Sequence, residues 1–155
     1  MGIDFALSVR AHVAWNEGHF QKALDLLDRG EPEKWWPFIA RRAFEGQAYE
    51  RYMRAELLKS LGRYEEALRW YQSLGIGRAF EFVYLPVSHF KQAEVYEKLG
   101  QNEKAIENYG KFIEMWKDCD PELRSVVVEA EKSLERLLGE KAREPGEKRK
   151  EIESH

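Results

Sequence analysis

The sequence predicts an all-α fold built from about three helical hairpins and closed by a C-terminal helix. Three observations carry that expectation. One short pattern recurs three times in order, each copy follows an apolar face at helical spacing, and a proline-marked helix start near residue 121 opens a final amphipathic stripe.

The recurring pattern is Gly18-His19-Phe20 with Ala23 and Leu27, Gly62-Arg63-Tyr64 with Ala67 and Tyr71, and Gly100-Gln101-Asn102 with Ala105 and Tyr109. Upstream lie the faces of the first helices. They are Ala6, Val9, Val13 and Ala14, then Tyr52, Ala55, Leu58 and Leu61, then Phe90, Ala93, Tyr96 and Leu99. Each Gly supplies the permissive backbone at which one helix stops and the chain reverses. Ala23, Ala67 and Ala105 then fall one turn into a second helix, where a small side chain lets two axes approach; a larger one would cost about 1–3 kcal/mol.

After the third copy, Asp120-Pro121 reads as an N-cap followed by Pro at the first helical position. Val126, Val127, Ala130, Leu134, Leu137 and Leu138 form a stripe opposite Glu129, Glu131, Lys132, Glu135 and Arg136. Such a helix closes the apolar face that a last repeat exposes. From Gly139 on, charged residues dominate, which predicts a solvated tail that is helical at most in part.

The stretches MRAELLKSLGRYEEALRWYQSL and FKQAEVYEKLGQNEKAIENYGKF, with SVRAHVAWNEGHFQKALDLLD as a weaker first copy, resemble the tetratricopeptide repeat. The resemblance implies a right-handed α-solenoid. Units are expected at about 4–29, 47–74 and 86–118 with a capping helix at 121–138, giving a repeat domain over 1–138 and a charged flexible tail over 139–155. Spacing departs from the family: Gly18 to Gly62 is 44 residues and Gly62 to Gly100 is 38, so against about 34 the junctions carry roughly 10 and 4 extra residues. The earlier insertion holds Trp35-Trp36-Pro37-Phe38 and reads as a loop, then a helix through Glu45. Two adjacent tryptophans stand about 100 degrees apart on a helix, so either one faces outward or both pack under the loop. The later insertion reads as a loop, with a short strand as an alternative, whose Phe80, Phe82 and Tyr84 fold back onto the helices.

The composition excludes several function classes. Length fits one domain, and 43% hydrophobic residues argue against disorder. A net charge of -3 gives no basic excess for phosphates, so no nucleic acid is expected. No run approaches the length of a membrane helix, and the amino terminus lacks secretory character. A single cysteine cannot form an internal disulfide, which suits a reducing, cytoplasmic setting. Flanking Asp118 and Asp120 make Cys119 a poor nucleophile. His12, His19, His89 and His155 never stand at i, i+4 spacing, so no metal site is expected. Gly75-Ile76-Gly77-Arg78 lacks the Lys-Ser/Thr of a phosphate loop and reads as a plain turn. No catalytic residues and no cofactor are expected.

In stacked repeats of the resembled family the first helices line a concave groove for ligand peptides. The groove positions carried over are Ser8, His12 and Asn16, then Tyr49, Tyr52 and Glu56, then Phe90, Glu94 and Lys98. Aromatics there act as anchors, or else Tyr52 and Phe90 pack between neighbouring helices. The family's clamp for a chaperone's carboxylate tail is not kept: Ser8, His12, Met53 and Val87 replace its Lys and Asn residues, leaving Lys91 alone. The resemblance extends to the repeat segments of bacterial serine/threonine kinases and transcriptional regulators, carried by the run from Tyr84-Leu85-Pro86 to Pro121-Glu122-Leu123. It implies a regulatory or scaffolding module binding a protein or peptide partner, with homodimerisation or small-molecule sensing as alternatives.

Overall fold

The computed structural model describes residues 2–30, 48–75 and 79–152; Trp35, Trp36 and the helix expected through Glu45 lie outside them. Among the described residues every regular element is helical, and the chain divides into two compact units, Met1–Ser88 and His89–His155. The all-α expectation holds.

The first unit contains α1 (Gly2–Asn16), α2 (Phe20–Asp28), α3 (Ala48–Ser60), α4 (Tyr64–Gln72) and a 3-10 turn at Ala79–Tyr84. Helices α1 and α2 form one hairpin and α3 and α4 the next, with α2 also packed on α3. Both reversals are built alike. Gly18 adopts φ 76°, and the amides of Gly18 and His19 donate to the carbonyls of Trp15 (2.9 Å) and Ala14 (2.8 Å). Gly62 adopts φ 74°, with the amides of Gly62 and Arg63 donating to Lys59 (3.0 Å) and Leu58 (2.9 Å). These are Schellman caps, which satisfy the last carbonyls of the first helix through a left-handed residue. The small residues at the hairpin contacts, Ala23 and Ala67, are fully buried, as the spacing required.

The face of α1 differs from expectation. Leu7, Ala11 and Ala14 are buried, whereas Val9 and Val13 are 48% and 49% exposed. Helix α1 is apolar on several sides, so its periodicity did not choose between faces, and the partner helices chose Leu7 instead.

The later insertion forms the 3-10 turn, not a strand. Tyr84 turns back against Tyr52, but Phe82 and Val83 are exposed, and the side chain of Phe80 is outside the description. What holds the turn is Glu81, 1% exposed, which accepts hydrogen bonds from the Arg51 guanidinium. Arg51 also donates to the Ser73 carbonyl and, at 3.3 Å, to its hydroxyl. The turn is entered through Gly75 at φ 76°, where an added Cβ would lie 2.7 Å from Leu85 Cδ1 and 2.9 Å from Leu85 Cβ.

The division falls within α5 (Leu85–Lys98); the second unit continues with α6 (Asn102–Trp116), a 3-10 turn at Pro121–Leu123 and α7 (Arg124–Ile152). Gly100 repeats the cap at φ 67°, with Gln101 donating to the Tyr96 carbonyl at 2.9 Å. Ala105 is fully buried; Phe90 packs on Tyr109 and Phe112 with ring centroids 5.9 and 5.1 Å apart. Val127, Ala130 and Leu137 of α7 are buried, while Leu138 is exposed. Asp120 makes no side-chain cap; its carbonyl accepts from the Leu123 amide at 2.9 Å, so one 3-10 turn precedes the α-helix.

Helix α7 does not end at Leu138. One glycine weakens a helix without stopping it, at about 1 kcal/mol; the Arg136–Glu140 pair (3.1 Å) spans Gly139, and Lys141 beyond it reaches Glu103 of α6 at 2.9 Å. The expected tail therefore begins inside a helix.

Candidate interaction surface

The site residues divide between the two units, and each set is described within its own. In the first unit, α1 and α3 lie side by side and are joined by two hydrogen bonds. Ser8 Oγ donates to Glu50 at 2.9 Å, and the Tyr49 hydroxyl lies 2.6 Å from His12 Nδ1. The Asn16 amide nitrogen lies 3.2 Å from His12 Nε2, so both ring nitrogens of His12 are engaged. Tyr49 is thereby held in one orientation while 40% exposed. His12 also meets Trp15 edge-on at 6.0 Å.

Tyr52 is half-buried, with Tyr71 at 6.3 Å and Tyr84 at 6.0 Å between centroids. Burial first, then the charges around them, pushes the phenols of Tyr49 and Tyr84 above the usual value of 10; Glu50 contributes to both. These hydroxyls stay protonated across the physiological range and act as neutral donors and acceptors. Glu56 accepts from the Tyr71 hydroxyl at 2.6 Å and lies 3.8 Å from Lys59 Nζ. It braces the hairpin.

Ser8 is buried, so it serves α3 rather than an exposed surface. Phe90, 5% exposed, belongs to the core of the second unit, the packing alternative of the two that the sequence left open. In that unit Glu94 pairs with Lys91 at 3.1 Å and Lys98 is exposed. Lys91, the one cation at a clamp position, is thus engaged, and it also lies 5.2 Å over the Phe90 ring. Met53 is fully buried.

Two further residues join this face, neither of them among the groove positions read from sequence, although Tyr84 was expected to fold back onto the helices. Tyr84 joins the face because the 3-10 turn brings it to Tyr52, and Glu50 because α1 supplies Ser8. Neither contact follows from repeat spacing. Among the described residues, no group of three or more His, Cys, Asp or Glu is placed to hold a metal ion, and no helix is long and apolar enough to cross a membrane.

Comparison with known proteins agrees with this geometry. Family models described as tetratricopeptide repeat match residues 5–29 and 51–73, and another of the same description matches 88–118. No curated protein and no solved structure matches the chain.

Proposed function

Because the chain is a tetratricopeptide repeat protein, of a kind that generally mediates protein–protein interaction, we propose that it is a non-catalytic scaffold holding a peptide or helix of a protein partner along its first helices. The observation that carries this reading is the ordered, accessible aromatic face of the first unit: Tyr49 fixed by His12, with Tyr52 and Tyr84 beside it. Rigid aromatics bind at low entropic cost, since few rotors are left to freeze. Asn16 and His12 supply polar contacts at its edge. Glu94 and Lys98 offer mixed charge on the second unit's first helix.

The likeness of residues 84–123 to repeat segments of bacterial kinases and regulators supports a regulatory role in signalling, and the lone Cys119 suits a cytoplasmic setting. Cross-linked pull-down with the wild type and a Tyr49→Ala, Tyr52→Ala double variant tests the reading. Loss of a partner with helicity retained is expected; equal recovery from both proteins would rule out the aromatic face.

Self-association is the second reading, favoured by Val9 and Val13, which stand exposed one turn apart on α1. Sedimentation over a concentration series decides it. A dimer that Val9→Ser, Val13→Ser abolishes supports it, and a monomer at every concentration removes it.

A further inference from the structure

The aromatic face carries one carboxylate that no cation among the described residues pairs with. Glu50 is half-buried in the first turn of α3, and its hydrogen bond comes from the neutral Ser8 hydroxyl. Among the described residues, no Lys or Arg nitrogen pairs with it. Its neighbours are provided for: Glu81 has Arg51, Asp28 has Arg54, and Glu56 has Lys59 and the Tyr71 hydroxyl. Among the described residues, Arg51, Arg54 and Lys59 are thus already engaged, and Arg54 is further held 4.9 Å over the Trp70 ring.

Around Glu50 stand phenol rings. Tyr49 precedes it and is exposed, while Tyr84 touches Tyr52, one turn on from Tyr49 along α3, at 6.0 Å between centroids. A half-buried carboxylate on the same helix face region as exposed phenols suits a cation, which gains charge-assisted hydrogen bonds from the one and ring-quadrupole attraction from the other. Guanidinium fits better than ammonium. Its plane stacks on a phenol while its fork reaches the lone pairs that Ser8 leaves open, and it sheds water more readily.

Resting on the reading of this face as partner-binding, we propose that Glu50, Tyr49 and Tyr84 together receive an arginine side chain from the partner's segment. Tyr52 backs Tyr84, and His12 holds Tyr49 in place. The requirement for arginine would select among protein partners by charge as well as by apolar fit, and it opposes the acidic tails taken by a lysine-lined clamp.

The test selects peptides from a random displayed library on the full chain, then measures synthetic copies by fluorescence anisotropy. Selected peptides should share an arginine. Replacing that arginine with Leu, or Glu50 with Gln, should each weaken binding about ten-fold, and combining them should add little further loss. Glu50→Gln keeps the side chain's shape, and circular dichroism with a urea midpoint verifies its fold. Peptides that need Tyr49 and Tyr52 but show no arginine preference, or that prefer lysine, or that bind Glu50→Gln unchanged, would overturn the arginine site and leave the aromatic face standing. Failure to select any peptide sensitive to Tyr49→Ala, Tyr52→Ala would overturn both.

Discussion

Tyr52 in the first unit and Phe90 in the second occupy one template position, ten residues before the glycine that ends their helix. Each meets the tyrosine nine residues after that glycine, Tyr71 or Tyr109, at 6.3 and 5.9 Å. Beyond this shared contact they diverge. Phe90 gains Phe112 and is 5% exposed, whereas Tyr52 gains Tyr84 from an inserted turn and stays half-buried. One repeat position is therefore core in one unit and half-buried in the other. Tyr suits the half-buried case because its ring buries area while its hydroxyl keeps a polar end.

The comparison breaks first on stability. Phe90→Ala should cost about 3–5 kcal/mol, as for a large aromatic lost from a core, against about 1 kcal/mol for Tyr52→Ala. Urea unfolding of both variants measures the gap, and equal losses would mean that the exposure difference has no energetic weight.

The inserted turn sharpens it. Glu81→Ala removes the carboxylate that the Arg51 guanidinium, 19% exposed, is paired with and should destabilise by about 3 kcal/mol. It should also release Tyr84 from Tyr52, read as increased acrylamide quenching of tyrosine emission in a Trp-free background. A stable variant with unchanged quenching would show that the turn needs no ionic anchor.

The smallest effect concerns pH. Burial, and then the hydrogen bond to Glu97, pushes the Tyr109 phenol well above its usual 10. The unfolded chain therefore releases this proton first, so the contribution of Tyr109 is complete below about pH 10 and falls as pH rises past it. Thermal unfolding from pH 8 to 11 should show a shallower alkaline decline in Tyr109→Phe than in the wild type, and parallel curves would dismiss the linkage.

What the sequence made legible was local. The glycine, the alanine five residues on and the large residue nine residues on report contacts within one hairpin, where helical geometry alone relates spacing to position. The exposed face of α1 was misread at Val9 and Val13 because several of its sides are apolar and only the neighbouring helices decide which is covered. Glu81 and Glu50 were invisible for a related reason: their partners Arg51 and Ser8 lie 30 and 42 residues away. Phe90 was left open between anchor and core because Phe112, the residue that buries it, stands outside the recurring pattern. Helix α7 outran its expected end because charged residues beyond Gly139 are good helix formers, a preference that low hydrophobicity conceals.

Among the described residues, the four left-handed glycines differ in what else could replace them over the course of sequence drift. At Gly18, Gly62 and Gly100 nothing lies within 4 Å of an added Cβ, so only the dihedral penalty of about 1–2 kcal/mol opposes alanine, and asparagine is the natural substitute. Gly75 has no such latitude, because any β-carbon there meets Leu85 Cβ as well as its flexible tip. The hairpin caps can therefore lose their glycines and keep the fold, while the entrance to the Tyr84 turn holds its glycine for as long as Leu85 stays where it is.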